Sequence, residues 1–99
     1  MDKYDVLEKF RLSNKAKEKI EEFERKNQGL SYAHDRSKIY SEVLSKKWIE
    51  VRDKILKLEK SNSDGINSAE IEKLESDRDL LRNALEEFEK DAFNQFYNE

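Results

Sequence analysis

The chain has 99 residues, of which 43% are charged and 35% hydrophobic, and its net charge at pH 7 is −3. This composition excludes a thick multilayer core and predicts one small helical domain, residues 1–99, held together by amphipathic helices. No cysteine is present, which excludes disulfides and thiolate chemistry. The N-terminus has no apolar signal region, and no run of residues approaches membrane-spanning length. We therefore expect a cytoplasmic protein without membrane insertion, with secretion that needs no cleaved signal peptide as the alternative.

The first predicted helical segment covers residues 3–28 and carries two apolar patches that are out of phase. One patch consists of Tyr4, Val6, Leu7 and Phe10, and the other consists of Ala16, Ile20 and Phe23. Ser13 lies between them and can cap a new helix. We expect either a kink near Ser13 or a short helix followed by a longer one. Gly29 then ends the segment, because glycine adopts positive φ freely.

Two longer segments, residues 32–60 and 68–96, carry apolar residues at 3–4 spacing on either side of one turn. The stripe residues are Leu44, Trp48, Val51, Ile55 and Leu58 before the turn, and Ile71, Leu74, Leu81, Leu85, Phe88 and Ala92 after it. Such stripes, joined by a short turn, predict an antiparallel, coiled-coil-like hairpin. The predicted fold is therefore all-α, an elongated three-helix bundle built on this hairpin.

The distribution of charge along the chain favours the same pairing of the two long helices. Residues 31–60 hold eight basic and five acidic side chains, whereas residues 61–99 hold four and eleven. A mildly basic helix attracts a strongly acidic one, which favours placing the two side by side.

The short turn also sets the register of the hairpin. It pairs Leu58 with Ile71 and Trp48 with Leu81, and Trp48 is expected to be largely buried. Arg78 is the one charged residue on the stripe of the last helix. We expect its guanidinium to pair with an acid or to lie on the Trp48 ring.

No residue pattern predicts a catalytic, cofactor or metal site. In the turn, Asn62, Asp64 and Gly65 match the third, fifth and sixth positions of an EF-hand loop, but the first and twelfth positions hold Lys60 and Ile71 instead of acids. The single histidine has no second histidine or cysteine to complete a metal or nucleophilic site. We therefore predict a non-enzymatic protein that needs no cofactor and no metal.

Large apolar residues at two places are the candidate contacts to a partner. The candidates are Tyr4, Leu7 and Phe10 near the N-terminus and Phe93, Phe96 and Tyr97 near the C-terminus. In the predicted register the C-terminal three lie beside Phe23 and Tyr32, so an aromatic cluster within the chain is the alternative. Aromatic anchors at a helix end also suit recognition in a groove of a partner.

The favoured function is a protein–protein interaction module, such as a small helical inhibitor, an adaptor or a secretion-targeting subunit. We also expect the chain to form a homo-oligomer or to need a partner, because a thin bundle leaves apolar surface uncovered. The alternative is a nucleic-acid-associated regulator, either a direct DNA or RNA binder or an acidic mimic of nucleic acid. Acids interleave with the lysines of residues 46–57 and the pI is about 5.4, which disfavours a direct binder.

In size and predicted hairpin, the chain resembles the small helical proteins exported by type VII-like secretion systems. Those proteins carry Trp-x-Gly in the turn between their helices. Here Trp48 is followed by Ile49 and Glu50 in the middle of a predicted helix, so no property of that family is assigned to this chain.

Overall fold

The computed structural model describes residues 2–29, 32–61, 65 and 67–98, and of residues 95–98 it describes only the backbone. These residues form four α-helices and no strand: α1 (Lys3–Lys9), α2 (Ser13–Lys26), α3 (Ala33–Ser61) and α4 (Ser68–Asn98). The molecule measures 55 × 25 × 20 Å. The predicted all-α class and elongated shape are therefore confirmed. None of the helices, over the residues described, combines the length and apolarity needed to cross a membrane.

The α3–α4 hairpin forms the body of the molecule. Along the seam between the two helices, the buried residues are Leu44, Val51, Ile55, Ile71, Leu81 and Phe88. The Tyr40 and Phe88 rings lie 4.9 Å apart, and the Arg82 guanidinium lies 6.0 Å from the Trp48 ring. These contacts agree with the predicted register to within one residue, and the hairpin itself is confirmed.

The first predicted segment is a short helix followed by a longer one, which confirms the second of the two expected forms and gives four helices in the described chain. Helix α1 ends in a Schellman motif, in which the Leu12 N–H donates to the Leu7 carbonyl at 2.7 Å and the Arg11 N–H donates to the Glu8 carbonyl at 3.0 Å. Arg11 has φ +58°. Leu7 and Leu12 are both buried. They occupy the two positions at which a Schellman motif usually carries a pair of apolar residues. The positive φ turns the chain back on itself at this point.

Helix α1 packs antiparallel to α4. Two ion pairs mark its direction: Lys3 pairs with Asp91, and Lys9 pairs with Asp77 at 3.9 Å. The bond to Asp91 raises the pKa of Lys3, and partial desolvation opposes this shift. Opposite charges therefore fix both ends of this seven-residue helix on α4.

Helix α2 packs antiparallel to α3. Glu24, near the end of α2, pairs with Arg36 at 3.5 Å, and Lys19 lies beside Lys46 in the middle of α3. Val43 of α3 and Ala84 of α4 are buried although they lie off the seam of the hairpin. Helices α1 and α2 therefore cover one side of the hairpin and leave the other side uncovered by any described helix.

Helix α2 ends as predicted, but it begins at Ser13 with Leu12 at the N-cap position, so Ser13 is not the capping residue expected from the sequence. Gly29 has φ +84°, and its N–H donates to the Glu24 carbonyl, which closes α2. Asn67 directly precedes α4, and its carbonyl accepts from the Ile71 N–H at 2.9 Å, as at an N-cap position. The turn residues 62–64 lie outside the described residues.

Candidate protein-interaction surface

The N-terminal patch predicted from sequence is divided between the core and the surface. Val6 and Leu7 are each 2% exposed, so Leu7, expected to contact a partner, packs inside this chain instead. The reason is that α1 folds back onto α4 and turns these two adjacent residues inward. Phe10 is half-buried against the same core. Tyr4 is 50% exposed.

The Tyr4 ring is exposed on one side and held in place on the other side by neighbouring rings. Its edge packs against the Phe88 ring at 5.3 Å and against the Tyr40 ring at 5.8 Å, with both interplanar angles above 80°. The Lys3 ammonium lies 5.2 Å from the centre of the Phe88 ring. Edge-to-face contacts of this kind hold an aromatic side chain in one orientation. Tyr4 can therefore present its outer surface with little loss of conformational entropy.

At the C-terminal end, Phe93 is the most exposed of the large apolar side chains that the structure describes, at 61%. It borders an open groove of about 330 Å³ that is also lined by His34, Asp35 and Lys38. The side chains of Phe96 and Tyr97 lie outside the described residues, so their predicted role is untested.

Tyr32 is 54% exposed, and its ring stacks on the His34 imidazole at 5.8 Å. Phe23, expected in the same cluster, is half-buried on α2. At this end of the bundle, α1 begins, α3 begins and α4 ends. We call the group Tyr4, Tyr32 and Phe93 the aromatic end. Exposed aromatic side chains at one end of a bundle are candidates for binding hot spots.

The uncovered side of the hairpin is a second surface, which we call the open face. It is defined by Trp48, Ile49 and Leu56 of α3 and by Arg78, Leu85 and Glu89 of α4. Its central groove of about 270 Å³ is lined by Ser45, Trp48, Arg82, Leu85, Glu86 and Glu89. Ile49 and Leu56 are 41% and 50% exposed. With Tyr4, Tyr32 and Phe93 they complete the exposed large hydrophobic side chains of the described chain.

Trp48 is mostly buried and packs against the hydrophobic core, which confirms the expectation for it. It lies at the edge of the seam, where one side of the indole faces the open face. The guanidinium groups of Arg52 and Arg82 lie 5.3 and 6.0 Å from its ring. Arg78 instead pairs with Asp79 at 3.5 Å, which confirms the acidic partner expected for it. The Trp48 indole N–H is buried and meets no acceptor among the described residues.

Positive charge is concentrated where α2 meets α3. Contact with the Lys46 ammonium lowers the pKa of Lys19, and desolvation and the charge of Lys15 act in the same direction, whereas Glu42 opposes them. Three ammonium groups thus lie close together on this side of the molecule. Their mutual repulsion lowers the stability of the fold, and their combined charge attracts anions.

The described residues contain no group of three or more His, Asp or Glu side chains placed to hold a metal ion. Two residues of the calcium-loop pattern, Asn62 and Asp64, lie outside the described residues. Comparison of the chain with profiles of known protein families, with curated proteins and with solved structures finds no significant match.

Sequence reasoning identified Tyr4 and Phe93 but missed the open face. A signal for it exists in the sequence, since Ser45, Ile49, Arg52 and Leu56 follow a 4–3–4 spacing of their own. This spacing marks a second stripe on α3 beside the seam stripe. Two of these four residues, Ser45 and Arg52, are polar, which makes the stripe hard to distinguish from a solvated face.

Proposed function

We propose that this chain is a non-enzymatic protein-interaction module that binds a partner protein through the aromatic end. The observation that carries this proposal is the exposure of Tyr4, Tyr32 and Phe93, each at least half exposed, at one end of the bundle. A chain of such polar composition gains little from solvated aromatic rings unless another molecule covers them.

The surroundings of these rings support the same function. Tyr4 is held by two buried or half-buried rings, so little entropy is lost when a partner covers it. Asp35 and Lys38 border the groove beside Phe93. Aromatic anchors within a charged rim are the usual arrangement of a protein–protein contact. We assign no catalytic step, because the grooves of the described surface are open and do not enclose a nucleophile with a base.

A second candidate function is binding to nucleic acid. The observation that favours it is the cluster of Lys15, Lys19 and Lys46, which concentrates positive charge on the α2–α3 side. Such binding depends on phosphate contacts and weakens steeply as salt rises, whereas an aromatic protein contact does not.

The two candidates are separated by capture from the native cell with the tagged chain, followed by mass spectrometry, with and without nuclease. The test variant is Tyr4→Ala with Tyr32→Ala. The matched control is Ile49→Ala with Leu56→Ala, which also removes two exposed apolar side chains but far from the aromatic end. We expect the same protein to be captured by the wild type and the control and to be lost with the test variant.

Nuclease and a moderate rise in salt should leave this capture unchanged. Loss of capture on nuclease treatment would favour the second candidate function. Equal capture by the test variant and the wild type would exclude the aromatic end as the contact surface. Circular dichroism of each variant checks that the helices are intact.

A further inference from the structure

We propose that the open face binds a second copy of this chain in an antiparallel, twofold-symmetric dimer. This surface is distinct from the aromatic end. The dimer therefore does not depend on the partner protein proposed above, and the two are tested by different variants.

The open face has the apolar content of an interface. Ile49 and Leu56 are exposed on α3, while Trp48 and Leu85 are partly buried at the centre. Helices α1 and α2 lie on the opposite side of the hairpin, so the described chain has no element of its own to cover these residues. Apolar side chains grouped on a face with a charged border are typical of a surface that associates.

The charges of the open face complement one another under a twofold rotation. We take as its centre the groove between Arg82 and Leu85. At 1.5 Å per residue, Arg78 lies about 8 Å to one side of this centre along α4, and Glu89 lies about 8 Å to the other side. In an antiparallel pair, each Arg78 therefore lies level with position 89 of the other copy, which carries a glutamate. The symmetry produces this contact twice. A parallel pair would place like charges together, which is unfavourable.

The α3 side of the face fits the same rotation. Ser45 and Trp48 line the central groove, so the rotation sets a small side chain against a large one at the centre. A twofold contact requires such self-complementarity, because one patch must match itself.

The side of the hairpin that carries the open face has the size of a typical protein–protein interface. Helix α3 has 29 residues and is thus about 44 Å long, and two helices side by side are about 20 Å wide. This side of the hairpin as a whole offers roughly 900 Å² per copy, against about 800 Å² per partner in a standard protein–protein interface.

Ion pairs within the chain do not prevent this association. Arg78 contacts the adjacent Asp79 at 3.5 Å, and Arg82 contacts Glu86 at 3.2 Å with both side chains more than half exposed. Exposed pairs of this kind contribute little to stability, so the side chains can exchange partners at small cost.

Sedimentation of charge-reversed variants tests the dimer and its symmetry. We expect the wild type to sediment as a dimer at micromolar concentration. Arg78→Glu alone and Glu89→Arg alone should each weaken association by about tenfold or more, because like charges then meet at both contacts. An equimolar mixture of the two variants should associate again, since every contact in the mixed dimer pairs opposite charges.

Matched controls are Lys73→Glu and Glu72→Arg, which make the same charge changes on exposed positions of α4 outside the open face. They should dimerise like the wild type. Because Arg78 lies on the seam, Ile49→Lys with Leu56→Lys serves as a second variant at exposed positions, and it should be helical by circular dichroism and monomeric. The Tyr4→Ala, Tyr32→Ala variant should remain a dimer.

A monomeric wild type would overturn the proposal. So would a dimer that survives the lysine variant, or a mixture of the two charge-reversed variants that stays monomeric while each is folded.

Discussion

At the scale of single residues, Trp48 shows what the spacing of apolar residues can predict and what it cannot. The 3–4 spacing assigned it to the hairpin and predicted that most of its side chain is buried, and the structure agrees on both. A residue at the edge of a two-helix seam is covered on one side only, and whether a third element covers the other side depends on tertiary packing. The sequence therefore predicted its burial and its neighbours along the seam, but not that the rest of the indole lines an open groove.

Truncation of Trp48 tests this description. Trp48→Ala should lower the free energy of unfolding by about 2–4 kcal/mol, at or below the range of a fully buried aromatic residue. Trp48→Phe should cost only about 1 kcal/mol or less, because the indole N–H meets no acceptor in the described chain and its loss removes no hydrogen bond. Urea unfolding measures both values, and equal losses in the two variants would contradict the prediction.

Lys19 gives a prediction with a defined pH dependence. The Lys46 ammonium lowers the pKa of Lys19, so the folded chain holds this proton less tightly than the unfolded chain. The repulsion therefore destabilises the fold at every pH below the lowered pKa and disappears as the pH rises through it. Lys19→Glu should raise Tm by about 2–4 °C at neutral pH, which corresponds to about 0.5 kcal/mol.

Lys19→Arg is the control, because it keeps the positive charge and should give no gain. A gain in Tm for Lys19→Arg equal to that for Lys19→Glu would show that repulsion is not the cause. Thermal unfolding followed by circular dichroism is sufficient for the comparison.

At the scale of elements, the break between α1 and α2 was located from sequence but its geometry was not. Ser13 predicted either a kink or two helices, since both are compatible with a capping residue between two apolar patches. The outcome depends on Arg11, which adopts φ +58°. Arginine gives no local signal for that conformation, so burial of Val6 and Leu7 against α4 must supply the free energy that the backbone conformation costs.

Arg11→Gly should therefore stabilise the fold by about 0.5–1 kcal/mol, because glycine adopts positive φ without a steric penalty. Arg11→Ala is the matched control, since it removes the same long side chain but keeps the Cβ atom, and it should give no gain. The free energy of unfolding in urea is the measurement. A loss of stability in Arg11→Gly would mean that the Arg11 side chain, not the backbone turn, holds this corner.

Helix α4 provides a second comparison, between core and surface aromatic residues five positions apart. Phe88 is fully buried beside Tyr4 and Tyr40, so Phe88→Ala should cost about 3–5 kcal/mol. Phe93 is 61% exposed, so Phe93→Ala should cost less than about 1 kcal/mol. Chemical denaturation of both variants measures the difference. A similar large loss for Phe93→Ala would assign this residue to the core and remove it from the candidate surface.

At the scale of the whole molecule, local spacing predicted the hairpin and long-range packing determined the rest. Leu44 lies on the stripe of α3, and Leu81 and Phe88 lie on the stripe of α4, so their pairing could be derived from two helices and one turn. The placement of α1 on α4 and of α2 on α3 could not be derived, since it depends on contacts between distant segments, such as the burial of Val6 and Leu7 against α4. For the same reason Leu7 was assigned to a surface that does not contain it.

The most direct measurement of the proposed function is photocrosslinking in the native cell, with a photoreactive phenylalanine in place of Tyr32 or, as a control, in place of the exposed Lys57. We expect position 32 to crosslink to one discrete protein, with a yield that nuclease treatment does not change, and position 57 not to do so. No crosslink from position 32, a crosslink that nuclease abolishes, or a crosslink only to a second copy of this chain would contradict the aromatic end as the partner-binding surface.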